Sequence, residues 1–254
     1  MQVAIIQTQL FWENVTKNLT HFEQKIEEIT LGIDLIVLPE MFTSGFTMHP
    51  ERVAQKMDGF AIDWMKNQAA KTQAAICGSL VIEENNCFYN RLVFVLPDGT
   101  LYFYNKRHLF ALANEHLHYA AGNEKVIVPY KGWQICLQIC YDLRFPAFVR
   151  NHENYDLIIY VANWPNTRIN AWDILLKARA IENMCTVIGV NRVGTDENGL
   201  NYSGHSQVID ELGVSLISPF EEDSIKYIEL NKNQILETRQ KLPFLNDKDA
   251  YTIK

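Results

Sequence analysis

An α/β architecture, a mixed sheet covered by helices, is what this chain of 254 residues predicts. Three observations predict it. Short apolar runs of strand length alternate with stretches whose apolar residues recur at helical spacing. The turn-forming Pro97-Asp98-Gly99 between two apolar runs adds a hairpin. Several of the runs end abruptly on a polar or reactive residue, as strands do when they reach the rim of a sheet.

The elements follow in order. Residues 3–7 are the first strand. In residues 15–31, Leu19, Phe22, Ile26 and Ile29 fall on one face, and Gly32 supplies a stop, so a helix is expected. A strand at 35–38, a helix at 61–72 and a strand at 75–82 come next. The hairpin joins 89–96 to 101–104. Further strands are expected at 125–128, 134–139, 157–162, 186–190, 206–210 and 225–230. Helices fit 171–183, with Trp172, Leu175, Leu176, Arg179 and Ile181 near one side, and 234–240. No repeat, low-complexity tract or Pro/Gly-rich linker interrupts this order, so residues 1–254 are expected to form a single domain.

Composition narrows the function classes. Hydrophobic residues make up 48% and charged residues 21%, the balance of an ordinary soluble globular chain. A net charge of −7 and no basic run argue against a nucleic-acid groove. No apolar stretch approaches the roughly 18 residues that span a bilayer, and the start Met1-Gln2-Val3-Ala4 lacks the basic flank of a secretory signal. Five cysteines without a Cys-x-x-Cys pair make a poor disulfide or zinc framework. A reducing cytoplasm is the expected compartment, and there one thiol can stay reactive.

Cys140 is that thiol. It closes the apolar run that starts at Trp133 and leads at once into Tyr141-Asp142-Leu143-Arg144-Phe145-Pro146, a strand ending in a tight turn. Glu40, Lys106, Asn163-Trp164 and Asn191-Arg192 also stand just past predicted strands. Ligands of α/β sheets bind beyond the carboxyl ends of strands, so topology nominates these segments for one pocket. A thiol attacks only as thiolate, and its unperturbed pKa is near ~8.5. Lys106 and the turn after Cys140 are expected to favour the anion, and Glu40 can take the thiol proton and return one to a leaving amine. Lys106 with the backbone N–H of Tyr141 can hold a tetrahedral oxyanion. These parts suit hydrolysis of a C–N bond through a thioester, without metal or cofactor.

Pro39-Glu40, Asn105-Lys106-Arg107-His108-Leu109-Phe110 and Cys140-Tyr141-Asp142-Leu143-Arg144-Phe145-Pro146 resemble the three signature regions of the nitrilase superfamily of carbon–nitrogen hydrolases. The resemblance extends through Tyr160-Val161-Ala162-Asn163-Trp164-Pro165, residues 178–183 and Asn191-Arg192-Val193-Gly194. It implies Glu40 as general base, Lys106 as oxyanion-stabilising lysine and Cys140 as nucleophile. It implies Glu115 as a second glutamate that positions lysine and substrate. The implied fold is a four-layer αββα sandwich, dimerised through its outer helices. Within the superfamily, residues 41–46 and 114–119 resemble bacterial ω-amidases, which hydrolyse 2-oxoglutaramate. A small-molecule amide is the implied substrate.

Each residue also has a plainer reading. Alone, Glu40 is a helix-start carboxylate, Lys106 a solvated charge, and Cys140 a small buried hydrophobe. The three together, in matched order, favour catalysis. Cys77, Cys87, Cys136 and Cys185 are expected in the core. His108, His116 and His118 have the outline of a zinc set without the matching thiols or carboxylates, and His116 is expected at the pocket mouth or supporting Glu115. Arg144 either binds a substrate carboxylate or braces the turn by pairing with Asp142 or another acid, and the bracing role is favoured. Phe46 and Trp164 are candidate pocket walls. Rival functions are another nitrilase-type activity on a nitrile, a carbamoyl amine or a different amide, a Cys–His hydrolase using His108 or His205, and a non-catalytic binding protein on the same fold.

Overall fold

The structure is a computed structural model and describes residues 1–30 and 32–253. In chain order the first half comprises β1 (Gln2–Gln7), α1 (Val15–Glu27), β2 (Leu35–Val37), α2 (Phe60–Thr72), β3 (Ala75–Glu84), β4 (Cys87–Val95), β5 (Leu101–Asn105) and α3 (Glu115–His118). There follow β6 (Ile127–Tyr130), β7 (Trp133–Ile139), α4 (Pro146–Val149), β8 (Leu157–Val161), α5 (Ile169–Asn183) and β9 (Thr186–Val190). The chain then runs through β10 (Val193–Thr195), β11 (Asn201–Ser203), β12 (Ser206–Ile209), β13 (Ser215–Phe220), β14 (Ser224–Glu229) and α6 (Lys232–Lys241).

Two six-stranded sheets result, ordered β14-β1-β2-β3-β4-β5 and β13-β12-β9-β8-β7-β6. Each has a parallel trio, β1-β2-β3 or β7-β8-β9, flanked by antiparallel strands. The period-two alternation of a strand splits its residues between two buried surfaces. Val3, Ile5, Leu35 and Val37 meet Ile135, Leu137, Leu157 and Ile159 in the core between the sheets. Their neighbours Ala4, Ile6 and Ile36 face Leu19, Phe22 and Ile26 of α1 and Ile62, Met65 and Ala69 of α2. On the far side Cys136, Ile158 and Tyr160 pack on Trp172, Leu176 and Ala180 of α5. The layers therefore run helix, sheet, sheet, helix, the αββα sandwich expected of the resemblance.

Several expectations change. Helix α1 ends at Glu27, and Leu31, inside the expected helix, lies outside the described residues. The strand expected at 125–128 is shifted to Ile127–Tyr130, because Pro129 is tolerated on an edge strand. Strands β3 and β4 form a hairpin across Asn85 and Asn86, both with positive φ (52° and 60°), a turn without the glycine that would advertise it. That turn leaves Cys87 exposed, whereas it was expected in the core. Ile181 is 53% exposed, on the side of α5 turned from the sheet. The edge strand β13, with Pro219 in it, and the short β10–β11 hairpin were not foreseen. No described helix is long and apolar enough to cross a membrane.

Gly122 shows how closely loops approach the strand ends. Its N–H donates to the Lys106 carbonyl at 2.9 Å, and a Cβ there would stand 2.2 Å from the Asn105 carbonyl oxygen. Backbone cannot swing aside as a side chain can. Gly122→Ala should therefore cost about 1–3 kcal/mol in denaturant unfolding and lower turnover by displacing Lys106. Unchanged stability and activity would show that the loop yields freely.

Candidate active site

Glu40, Lys106, Cys140, Asn163 and Asn191 follow β2, β5, β7, β8 and β9, and the structure brings these strand ends together. The centre is the Lys106 ammonium, fully buried with its two carboxylate partners. Nζ donates to Glu40 Oε1 at 3.0 Å and lies 3.0 Å from both Glu115 carboxylate oxygens. Burial alone would lower the ammonium's pKa, but Glu115 and Glu40 outweigh it and hold the group above its usual range. Burial pushes the Glu115 carboxyl up, opposed only in part by Lys106.

Backbone kinks deliver these groups. Met41, Asn114 and Cys140 all adopt left-handed φ, at 43°, 59° and 43°. Such conformations are uncommon for non-glycine residues and persist where surroundings enforce them. For Met41 the enforcement is visible. Its N–H donates to Ser79 Oγ (2.8 Å), that hydroxyl donates to Asn90 Oδ1 (2.8 Å), and Asn90 Nδ2 donates to Glu40 Oε1 (2.8 Å). From the other sheet, the Asn163 N–H donates to Glu40 Oε2 at 2.7 Å, and its Nδ2 to the Glu40 carbonyl at 2.6 Å. Asn163 Oδ1 is buried and has no partner among the described residues.

The turn after β7 is a short 3₁₀ helix, Cys140–Arg144, fastened by Asp142. That buried carboxylate accepts from the Ile139 N–H (3.1 Å), the His108 N–H (3.0 Å) and the Tyr104 hydroxyl (2.8 Å), and it holds the His108 ring at 2.7 Å. Asp142 is thus fully engaged without Arg144, and the bracing role favoured for Arg144 is not what the structure displays. The exposed Arg144 guanidinium lies over the Trp164 ring, 5.1 Å from its centroid, and lines the pocket. His108 is committed to Asp142 and stacks on Phe145, and His205 lies against Asp173.

A cavity of about 280 Å³ opens onto Cys140 and Lys106. Phe46, Tyr141, Arg144 and Trp164, all expected, are in its lining. Phe46 also sits under the ammonium, 5.1 Å from ring centroid to Nζ. His116 is the exception. It is exposed and lies outside the pocket lining, because in the single turn of α3 it follows directly on the inward Glu115 and so points elsewhere. Sequence reasoning missed Arg168, Asp196 and Tyr202 in the lining. Arg168 stands three residues beyond the quoted Tyr160–Pro165 segment, and the other two belong to the unforeseen hairpin region. Among the described residues no group of three His, Cys, Asp or Glu side chains is arranged to hold a metal ion.

The thiol was expected to be pulled towards the anion. The structure reverses this: burial pushes its pKa well above the ordinary cysteine range, Glu40 reinforces the rise, and Lys106 opposes without prevailing. Burial and the neighbouring Glu40 thus both favour the protonated thiol.

An ammonium and a thiol line one cavity, with the buried Glu40 carboxylate on the ammonium behind them, a set of groups that can serve acyl transfer. The comparisons with known proteins agree. The carbon-nitrogen hydrolase family model matches residues 2–240, and the chain belongs to that family of C–N hydrolases. It is 44% identical over 254 residues to the omega-amidase YafV of Escherichia coli K12, covering all of this chain and 98% of that protein. It is 32% identical to the 2-oxoglutaramate amidase of Bacillus subtilis, with 98% of each chain covered. Among solved structures, a CN-hydrolase superfamily protein of Xanthomonas campestris with an arsenic adduct in its active site superposes with a TM-score of 0.97 at 41% identity, covering 100% of this chain and 99% of that one.

The thiol's environment sets the sign of a pH effect. Thiolate is the reactive form, so a raised pKa leaves less of it at neutral pH and moves its appearance upward. Alkylation of Cys140 by neutral iodoethanol, followed by intact-protein mass spectrometry, should still be accelerating as pH passes about 8.5. A plateau below that value would mean a resting thiolate.

Proposed function

We propose that this protein is a cysteine-dependent amidase that hydrolyses the ω-amide of a small 2-oxo dicarboxylic acid monoamide, of which 2-oxoglutaramate and 2-oxosuccinamate are examples. The observation that carries the chemistry is the convergence of Glu40, Lys106 and Glu115 on one side of Cys140. The relatives named for omega-amidase and 2-oxoglutaramate amidase activity support the substrate class. A homodimer in the cytoplasm is the accompanying expectation.

In the proposed mechanism Glu40 accepts the Cys140 proton as Sγ attacks the amide carbon. Burial and Glu40 favour the protonated thiol, so the attack calls on a base. The oxyanion takes hydrogen bonds from Lys106 and the Tyr141 N–H. An ammonium has three N–H donors, and a hydrogen between the two Glu115 oxygens serves both, so one donor can turn to the oxyanion. Glu40 then passes its proton to the departing nitrogen, ammonia leaves, and a thioester remains. Asn163 Oδ1, which lacks a partner, is suited to accept from the amide N–H₂. Water, deprotonated by Glu40, attacks the thioester and releases the acid and the Cys140 thiol. Glu115 keeps Lys106 in place through both half-reactions.

Cys140→Ala should abolish ammonia release, and Glu40→Gln should lower kcat by several orders of magnitude while leaving the fold intact. Substantial turnover by Glu40→Gln would favour a histidine base instead. A panel of 2-oxoglutaramate, 2-oxosuccinamate, glutamine, a nitrile and a ureido acid tests the substrate. Oxo-amides no better than glutamine would remove the ω-amidase reading and leave the C–N hydrolase.

A further inference from the structure

Asn90 reaches all three charged groups of the site, although it lies outside the pocket lining and stands inside β4 rather than at a strand end. Its carbonyl accepts from the Lys106 N–H at 2.9 Å. Its Nδ2 donates to Glu40 Oε1 at 2.8 Å and lies 3.5 Å from Glu115 Oε1. A fully buried amide in an interior strand costs free energy unless its polar atoms find partners. Here the partners belong to the site itself or to the kink that delivers Glu40.

Ser79 decides which way the amide points. The Met41 N–H donates to Ser79 Oγ, so the single hydroxyl hydrogen goes to Asn90 Oδ1. The amide oxygen is thereby turned to the serine and the nitrogen to the carboxylates. The reverse orientation would set an oxygen against two acids.

The lone pairs can then be followed atom by atom. A carboxylate offers about four acceptor sites, shared between its two oxygens. On Glu40 Oε1 they are taken by Lys106 Nζ (3.0 Å) and Asn90. Oε2 accepts from the Asn163 N–H at 2.7 Å, and no other donor reaches it among the described residues. On Glu115, Oε1 faces Lys106 and Asn90, while Oε2 takes Lys106 and the Phe110 N–H. An oxygen that already holds two donors is a poor place for an incoming proton.

We infer that Asn90 is a positioning residue, which by holding Glu40 Oε1 assigns the carrying of the proton to Glu40 Oε2. This role rests on the reading of Glu40 as general base and deepens it. Rotating the carboxylate to exchange its oxygens would break the hydrogen bonds at both. The proton passes from Sγ to Oε2 as the S–C bond forms, and from Oε2 to the nitrogen as the C–N bond breaks. An amide supplies this hold beside two acids without adding a second cation to compete with Lys106.

Asn90→Leu removes the donor at similar size. Ammonia release from 2-oxoglutaramate, or from the best amide of the substrate panel, should show kcat lowered roughly 10–100-fold, the worth of a hydrogen bond to a charged group, with KM little changed. A donor favours the charged carboxylate, so its loss should also move the acid limb of the kcat profile to higher pH. Ser79→Ala, which frees the amide to turn, should move both quantities the same way by less, and it serves if Asn90→Leu does not fold. Alkylation of Cys140 by iodoethanol reports that the thiol is still presented in each variant. Unchanged kcat and acid limb in the folded variants, with Glu40→Gln inactive, overturn the positioning role alone. A fall in kcat with the limb unmoved marks a merely structural residue and overturns it too. Substantial turnover by Glu40→Gln removes the base reading and this assignment with it.

Discussion

A lysine ammonium with no solvent exposure is tolerable only with carboxylates against it, and Lys106 has two. Desolvating a charge costs several kcal/mol, and removing one partner of such a group leaves an uncompensated charge in the interior. The requirement reaches far along the chain. Glu40 lies beyond β2, Lys106 at the end of β5 and Glu115 in the single turn of α3, so one buried cation pins three separate segments. Asn90 and Asn163 also donate to Glu40, the second of them from the opposite sheet. The cluster is a structural knot between the sheets and, in the proposed mechanism, also the means of moving a proton.

Asp142 performs the matching task on the other side of the cavity. It gathers donors from Ile139 beneath the nucleophile, from Tyr104 on β5 and from His108 just past Lys106. The turn that carries Cys140 is therefore fastened to the segment that carries the ammonium. This is a direct mechanical link between the thiol and the ammonium. It also explains why the acid two residues past the cysteine is unavailable to Arg144, which lies instead across Trp164 at the cavity.

Much of this was legible in the sequence because strand ends and chemistry coincide. An apolar run that stops on Glu, Lys, Cys or Asn marks both an edge of the sheet and a candidate reactive group. Interior strands such as β7 and β8 are buried on both faces and read as continuous apolar runs. What failed to show was local or marginal. The β3–β4 turn uses Asn85-Asn86 rather than a glycine, so the adjoining Cys87 read as core. Edge strand β13 alternates weakly and contains a proline, and β10–β11 is three residues a side. His116 was misplaced because one helical turn separates inward from outward within a single residue. Arg168 carried no signal of its own, since a guanidinium on an aromatic ring is a tertiary arrangement between Phe110 and a segment some 58 positions away.

The upward push on the Cys140 pKa bears on durability as well as on proton transfer. Peroxides and disulfides react with thiolate, and susceptibility to the irreversible rungs of sulfur oxidation follows thiolate character. A cysteine whose protonated form is favoured by burial and by a neighbouring glutamate presents less thiolate than an unperturbed one. The surroundings that, in the proposed mechanism, call on Glu40 to take the proton thus also lower the reactivity of this sulfur towards oxidants that attack thiolates.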